Sequence, residues 1–183
     1  MAEYIPFDEK VEVNGQTVLS VVNGINEIFA TSMKQILSTN GINSPKPGEW
    51  YSQKNWLLAF KEIGNTIGNH TLFAIGKSIP ENADFPKEID DIKSALESIN
   101  IAYHQNHRGG EIGYYKLVEF DEKRKEAKME CKTPYPCSFD RGIISSMVRQ
   151  FAPINSVNQE VELDEEKNNK NTGADSSWYN ISW

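Results

Sequence analysis

With 183 residues, 38% of them hydrophobic, and a formal net charge of −7, the chain can build one core and is too short for two full domains, so residues 1–183 are expected to form a single domain. The acidic balance argues against a general nucleic-acid binder, which needs a basic face to release counterions from phosphates. Two cysteines are too few for a disulfide scaffold.

In chain order, residues 10–13 alternate between polar and apolar, and Asn14-Gly15 is a turn signal after them. A helix is expected over residues 17–40. Its apolar positions Leu19, Val22, Ile25, Ile28, Phe29, Met33, Ile36 and Leu37 recur at spacings of three and four, and Gly41 supplies a left-handed stop. Residues 42–50 read as a Pro/Gly loop. Ser52 can cap a second helix carrying Trp56, Ala59, Phe60 and Ile63 on one face and ending at Gly68. A short third helix over residues 71–79 is expected to stop at Pro80. A fourth begins near Pro86, with Glu88, Asp90 and Asp91 in its first turn and Ile89, Ile92, Leu96, Ile99 and Tyr103 as its stripe.

The period then changes from helical to two. Residues 113–120 read as a strand, DEKRKE as a charged turn, and residues 127–131 as the partner strand with Ala127, Met129 and Cys131 inward. A last helix covers residues 139–151. Val157, Gln159, Val161 and Leu163 suggest a third strand, residues 164–174 a polar, flexible loop, and residues 177–183 a closing strand with Tyr179, Ile181 and Trp183 on one face. Helices first and clustered antiparallel strands later give an α+β fold: an N-terminal helical layer packed on a C-terminal antiparallel sheet of about four strands, with one intervening helix. No run approaches the roughly 20 apolar residues of a membrane-spanning helix. Residues 1–15 lack the basic and apolar regions of a secretory leader. A cytoplasmic protein without a membrane span is therefore expected.

Two stretches, MECKTPYPCSFDRGIISSMVRQF at residues 129–151 and GADSSWYNISW at 173–183, resemble a superfamily that contains 4-vinyl reductase ligand-binding domains, H-NOX haem domains and TRAPP tethering subunits. The first matches its strand, Cys/Pro turn and glycine-opened helix; the second matches its glycine and final aromatic strand. Ser177 stands where vinyl-reductase-like members carry a cysteine, and NNKNTG lacks their upstream cysteine. The resemblance implies a helical layer on an antiparallel sheet, a cavity between them for a hydrophobic or tetrapyrrole-like ligand, and a homodimer formed through an N-terminal helix. The Tyr-x-Ser-x-Arg signature of H-NOX haem domains is absent from the chain.

Candidate chemistry centres on three groups. His104 and His107, three apart at a helix end, could bring both rings to one side to hold a metal or give one ring to haem iron; as readily they cap the helix and bond the loop. Cys137 lies at a helix N-terminus, where the dipole lowers a thiol pKa, and reads otherwise as a buried structural cysteine. Asp140 and Gly142 read as architecture, the aspartate for the helix dipole and the glycine for close approach. Trp56, Phe60, Phe73, Tyr103, Tyr115 and Cys137 are the candidate ligand-binding residues for a flat apolar molecule; Trp50, Tyr51 and Tyr114 are further aromatics that could join them. No phosphate loop, dinucleotide fingerprint, serine-hydrolase elbow or zinc-protease motif occurs. The expected function is non-enzymatic binding or sensing of a small hydrophobic or tetrapyrrole-like ligand. The alternatives are a haem- or metal-based sensor using a histidine, and a dimeric protein-interaction module. One domain leaves no room for an output domain, so a signal would pass to a separate protein partner.

Overall fold

The structure is a computed structural model that describes residues 3–23 and 27–183. Strand β1 (Glu12–Asn14) runs directly into helix α1 (Gly15–Asn23). The Asn14 side chain makes that change of direction, since its Oδ1 accepts from the backbone N–H of Gln16 at 2.9 Å. Helix α2 (Glu27–Thr39) follows, then strand β2 (Trp50–Ser52) and helix α3 (Gln53–Thr66), whose first turn is capped by Ser52. Gly68, at φ +114°, ends α3 and starts α4 (Asn69–Asn82). Helix α5 (Ile92–Gln105) opens with a capping box in which Asp91 and Ser94 satisfy each other's backbone N–H groups. Strand β3 (His107–Arg108), the hairpin β4 (Tyr114–Asp121) and β5 (Glu126–Lys132), helix α6 (Cys137–Phe151), and strands β6 (Glu160–Leu163) and β7 (Ser177–Ser182) complete the chain.

The main sheet has strand order β4-β5-β7-β6, with every pair antiparallel. Its inner face carries Tyr115, Ala127, Met129, Cys131, Tyr179 and Ile181, all buried. Helix α5 packs on β4 and on α6, α6 also packs on β6, and α4 crosses α6 on the far side. The expected helical layer on a four-stranded antiparallel sheet is therefore present. A second sheet, β2-β1-β3, sits beside it. Strands of two or three residues carry no usable alternation, which is why the sequence does not announce it.

The crossing of α4 and α6 is made by glycine against backbone. A Cβ on Gly76 would lie 2.2 Å from the Phe139 carbonyl oxygen, and one on Gly142 would lie 2.3 Å from that of Phe73. Gly142 does allow a close approach, and the element it admits is helix α4.

Several boundaries differ from expectation for identifiable reasons. The single helix over 17–40 is two, α1 and α2, which pack against each other, so the stripe divides. Val18 and Val21 become core, while Ile28 and Phe29 are 80% and 43% exposed; Ile25 lies outside the described residues. Helix α4 continues through Pro80 to Asn82, with the Ala83 N–H still bonding the Ile79 carbonyl. Helix α5 starts six residues after Pro86 because Asp91 is its cap rather than a first-turn acid. Val157 is 92% exposed and β6 begins at Glu160. Within residues 164–174, a 3-10 turn (Lys170–Thr172) is capped by Asn169 and closed by Gly173 in the left-handed region.

Candidate functional site

Between α4, α5 and α6 lies a cavity of about 30 Å³. Ile79, Phe85, Ile99, Ala102, Phe139 and Ile143 form its apolar walls, and Tyr103, His107, Tyr115 and Tyr135 also reach it. From there the aromatics continue inward: Tyr135 lies 5.0 Å from Phe139 in a tilted pair and meets Phe60 edge to face at 5.7 Å, and Trp56 is tilted on Phe60 at 4.6 Å. Such geometries add about 0.5–1.5 kcal/mol per pair beyond burial. The cluster is therefore a well-packed wall that resists being displaced.

The polar tips in this wall are turned toward each other. The Tyr103 carbonyl can only accept, so the bond at 2.8 Å places the proton on His107 Nδ1. His107 Nε2 is then the acceptor for the Tyr135 hydroxyl at 2.6 Å. Gln53 Nε2 donates to the same hydroxyl at 3.4 Å, leaving its own Oε1 without a hydrogen-bond partner. Burial lowers the His107 pKa to about 4, and the His104 ring adds to the fall, against the pull of the Tyr103 carbonyl. An unfolded histidine takes up its proton near pH 6.5. Between pH 6.5 and about 4 the unfolded chain thus binds more protons than the folded one, and stability falls as pH falls through that window. Urea midpoints measured from pH 7 to 4 should show this loss, and His107→Gln should remove that part of it. A wild-type midpoint as flat as the variant's would contradict a neutral buried imidazole.

A second buried cluster at the start of α6 adjoins the cavity through Tyr115 and Tyr135. Lys170 is 4% exposed and Asp140 is fully buried. The ammonium donates to Asp140 Oδ2 at 2.5 Å, to the Tyr135 carbonyl at 2.6 Å and to Thr133 Oγ1 at 3.0 Å, so all three protons are used. Asp140 also accepts from the Tyr115 hydroxyl at 2.6 Å and from Thr133. Burial raises the carboxyl's pKa, and Lys170, Tyr115 and Thr133 oppose that rise. For Lys170, desolvation acts downward, but the adjacent carboxylate outweighs it and the pKa is raised. The pair is ionised and saturated with partners, which is the condition under which buried charges are tolerated. Asp140 therefore stands in the first turn of α6, where a carboxylate suits the helix dipole, and also binds Lys170, Tyr115 and Thr133.

The sequence-derived candidates distribute as follows. Tyr103, Tyr115 and His107 meet at the cavity. Trp56 and Phe60 stand one layer behind it, both buried. Phe73 is on the outer side of α4 under the Arg141 guanidinium, 4.9 Å from its ring centroid. Trp50 lies under Arg108, and Tyr51 and Tyr114 bond Glu49 and Glu130 near the surface. Cys137 is buried beside Ser177, Sγ to Oγ 3.1 Å. Desolvation pushes its pKa up to about 11, against the lowering by Lys170 and Ser177, so burial keeps the thiol protonated at neutral pH. His104 is exposed, its Nδ1 donating to the Asn100 carbonyl at 2.9 Å. The two histidines do not share a face, because His104 is still in α5 while His107 is in β3. Among the described residues no three His, Cys, Asp or Glu side chains gather to hold a metal. Tyr135, Phe139, Thr133 and Lys170 are site residues that reading the sequence missed.

No protein-family model matches the chain, and no curated protein matches it. Solved H-NOX domains do match, and the chain has their fold. A mutant H-NOX domain of T. Tengcongensis aligns with a TM-score of 0.64 at 12% identity over 92% of this chain and 96% of its own. An oxygen-binding H-NOX domain related to soluble guanylate cyclases aligns at 0.59 and 14% over 92% of each chain. A third structure, concerned with heme redox potential and porphyrin distortion, aligns at 0.58 and 14% over 93% of this chain and 99% of its own. At such identities the likeness defines the fold, while the site must be judged on this chain's own residues.

Judged so, the packing between α4, α5 and α6 leaves less room than a haem needs. The cavity holds about 30 Å³, against roughly 300–1,000 Å³ for pockets that enclose a drug-sized ligand. Both ring nitrogens of His107, the histidine that reaches the cavity, are engaged.

Proposed function

We propose that this chain is a non-enzymatic, cytoplasmic binding and sensing domain for a small apolar ligand held between its helical layer and its sheet. The observation that supports it is an apolar cavity in a fold shared with ligand-binding domains, walled by Ile79, Phe85, Ile99 and Ile143, with its polar groups bonded to one another. Closed, it admits a ligand of one or two heavy atoms; a larger or tetrapyrrole-like one requires Tyr135 and Phe139 to move aside. Placement of Cys137, Ser177 and Gly142 around the start of α6 supports the vinyl-reductase-like branch of the resemblance. Exposed Ile28 and Phe29 on α2 are the features in favour of a homodimer through an N-terminal helix. Native mass spectrometry of the gently purified protein tests the main reading. An apolar copurifying molecule, absent from the cavity-filling variant Ala83→Val, is expected. A protein that carries nothing and leaves protoporphyrin IX fluorescence unchanged would sink it.

The haem-sensor reading is favoured by one observation, that His107 reaches the cavity of an H-NOX fold. It requires Tyr135 to release Nε2. On addition of haem, Tyr135→Phe should then give a stronger Soret band than the wild type, and His107→Ala none. Absence of the band from all three proteins removes this reading.

A further inference from the structure

The outer side of the α4–α6 crossing carries a groove lined by Phe73, Lys77, Arg141, Ser145, Arg149 and Val161, with Val148 and Gln159 completing it. Three cations and no carboxylate line it, in a chain with 26 acidic and 19 basic residues. Strand alternation explains the purity: Val161 faces the groove, while Glu160 and Glu162 face a separate concavity on the other side of the sheet. Among the described residues none of the three cations is in an ion pair. Arg141 and Lys77 instead lie over the Phe73 ring, 4.9 and 5.9 Å from its centroid, which holds their charges at the groove while leaving their hydrogen-bond donors available. The Gly76–Gly142 contact sets this arrangement, because only helices in backbone contact bring Phe73 and Lys77 so near Arg141.

We infer that this groove docks an acidic peptide segment of a separate protein, with carboxylates on Lys77, Arg141 and Arg149 and an apolar side chain against Phe73 and Val161. The argument for that occupant is charge complementarity: like-charged surface elsewhere on this chain steers an acidic partner to this groove, which gathers three cations and no carboxylate. The inference rests on the reading that the chain passes its signal to a partner. The test is fluorescence anisotropy of a labelled peptide of glutamates around a central leucine. Saturable binding is expected, weakening as salt rises and falling about tenfold in Arg141→Gln/Arg149→Gln, roughly the loss of one good charge contact. Arg149→Gln alone, at an exposed position, should give a partial loss with unaltered circular dichroism. Lys123→Gln/Arg124→Gln, at the β4–β5 turn, should bind as the wild type does. No binding, equal loss in the turn variant, or capture of single-stranded DNA in place of the peptide overturns the proposal. Ala83→Val should still bind the peptide, so failure of the cavity reading and failure of the groove are read separately.

Discussion

Lys170→Met is expected to lower the thermal midpoint by about 10 °C. Removing one partner of a buried ion pair leaves an uncompensated charge, at a loss of about 3–5 kcal/mol. For a chain of this size each kcal/mol moves the midpoint by roughly 2–4 °C. Here the orphaned group is Asp140, with Tyr115 and Thr133 still donating to it but no cation beside it. The Tyr135 carbonyl loses a donor as well. Two further measurements separate this cause from simple loss of packing. Asp140→Asn in the Lys170→Met background should recover much of the loss, so that a double-mutant cycle gives a coupling well above the scatter of independent sites. The Lys170→Met deficit should also shrink on acidification. Without the ammonium the folded carboxyl has a pKa raised above its unfolded value near 3.9, so the deficit is smallest below that value and grows as pH rises through the folded one. A single variant within about 1 kcal/mol of wild type would show that the pair is not what holds residues 170–172 to the sheet.

Gly142→Ala should be destabilising by about 3 kcal/mol or more. In an exposed helix interior the same change stabilises by about 1 kcal/mol, since alanine is the better helix former. The sign of the outcome is therefore diagnostic. The new methyl would sit 2.3 Å from the Phe73 carbonyl oxygen and 2.9 Å from the Lys77 nitrogen, both backbone atoms that cannot rotate away. Overpacking in cores typically costs about 1–3 kcal/mol and more when backbone must shift. Urea denaturation of Gly142→Ala and Gly76→Ala reads the effect, with Ser138→Ala on the same helix as the control within about 0.5 kcal/mol. A stabilised Gly142→Ala would mean that α4 and α6 stand farther apart.

Legibility in the sequence followed periodicity. The hairpin β4–β5, the inward set Ala127, Met129 and Cys131, the stripe of α5 and the closing strand could all be read because one face of each is buried and the other is not. The helical layer on an antiparallel sheet followed from their order. Long-range partnerships were hidden. Lys170 looked like one more polar residue between Asn169 and Asn171, and only the fold brings it 30 positions back to Asp140. Tyr135 was concealed by the prolines on either side, which read as turn punctuation, although the aromatic between them enters the core. The two histidines were separable only with the end of α5 in view, since the chain straightens between them. The split of residues 17–40 into two helices could not be read from a run of apolar spacings that suits either arrangement.

The glycine-on-backbone contact between α4 and α6 has a mechanical consequence. Helices that touch through interlocked side chains can slide by small rotamer changes; these two meet at a hard point and can only turn about it. On α4, Ile79 lies three residues beyond that fulcrum, in the cavity wall, and Phe73 three residues before it, in the basic groove. A molecule that wedges the cavity wider therefore works one arm of a lever whose other arm, of equal length, is the floor on which the cations rest.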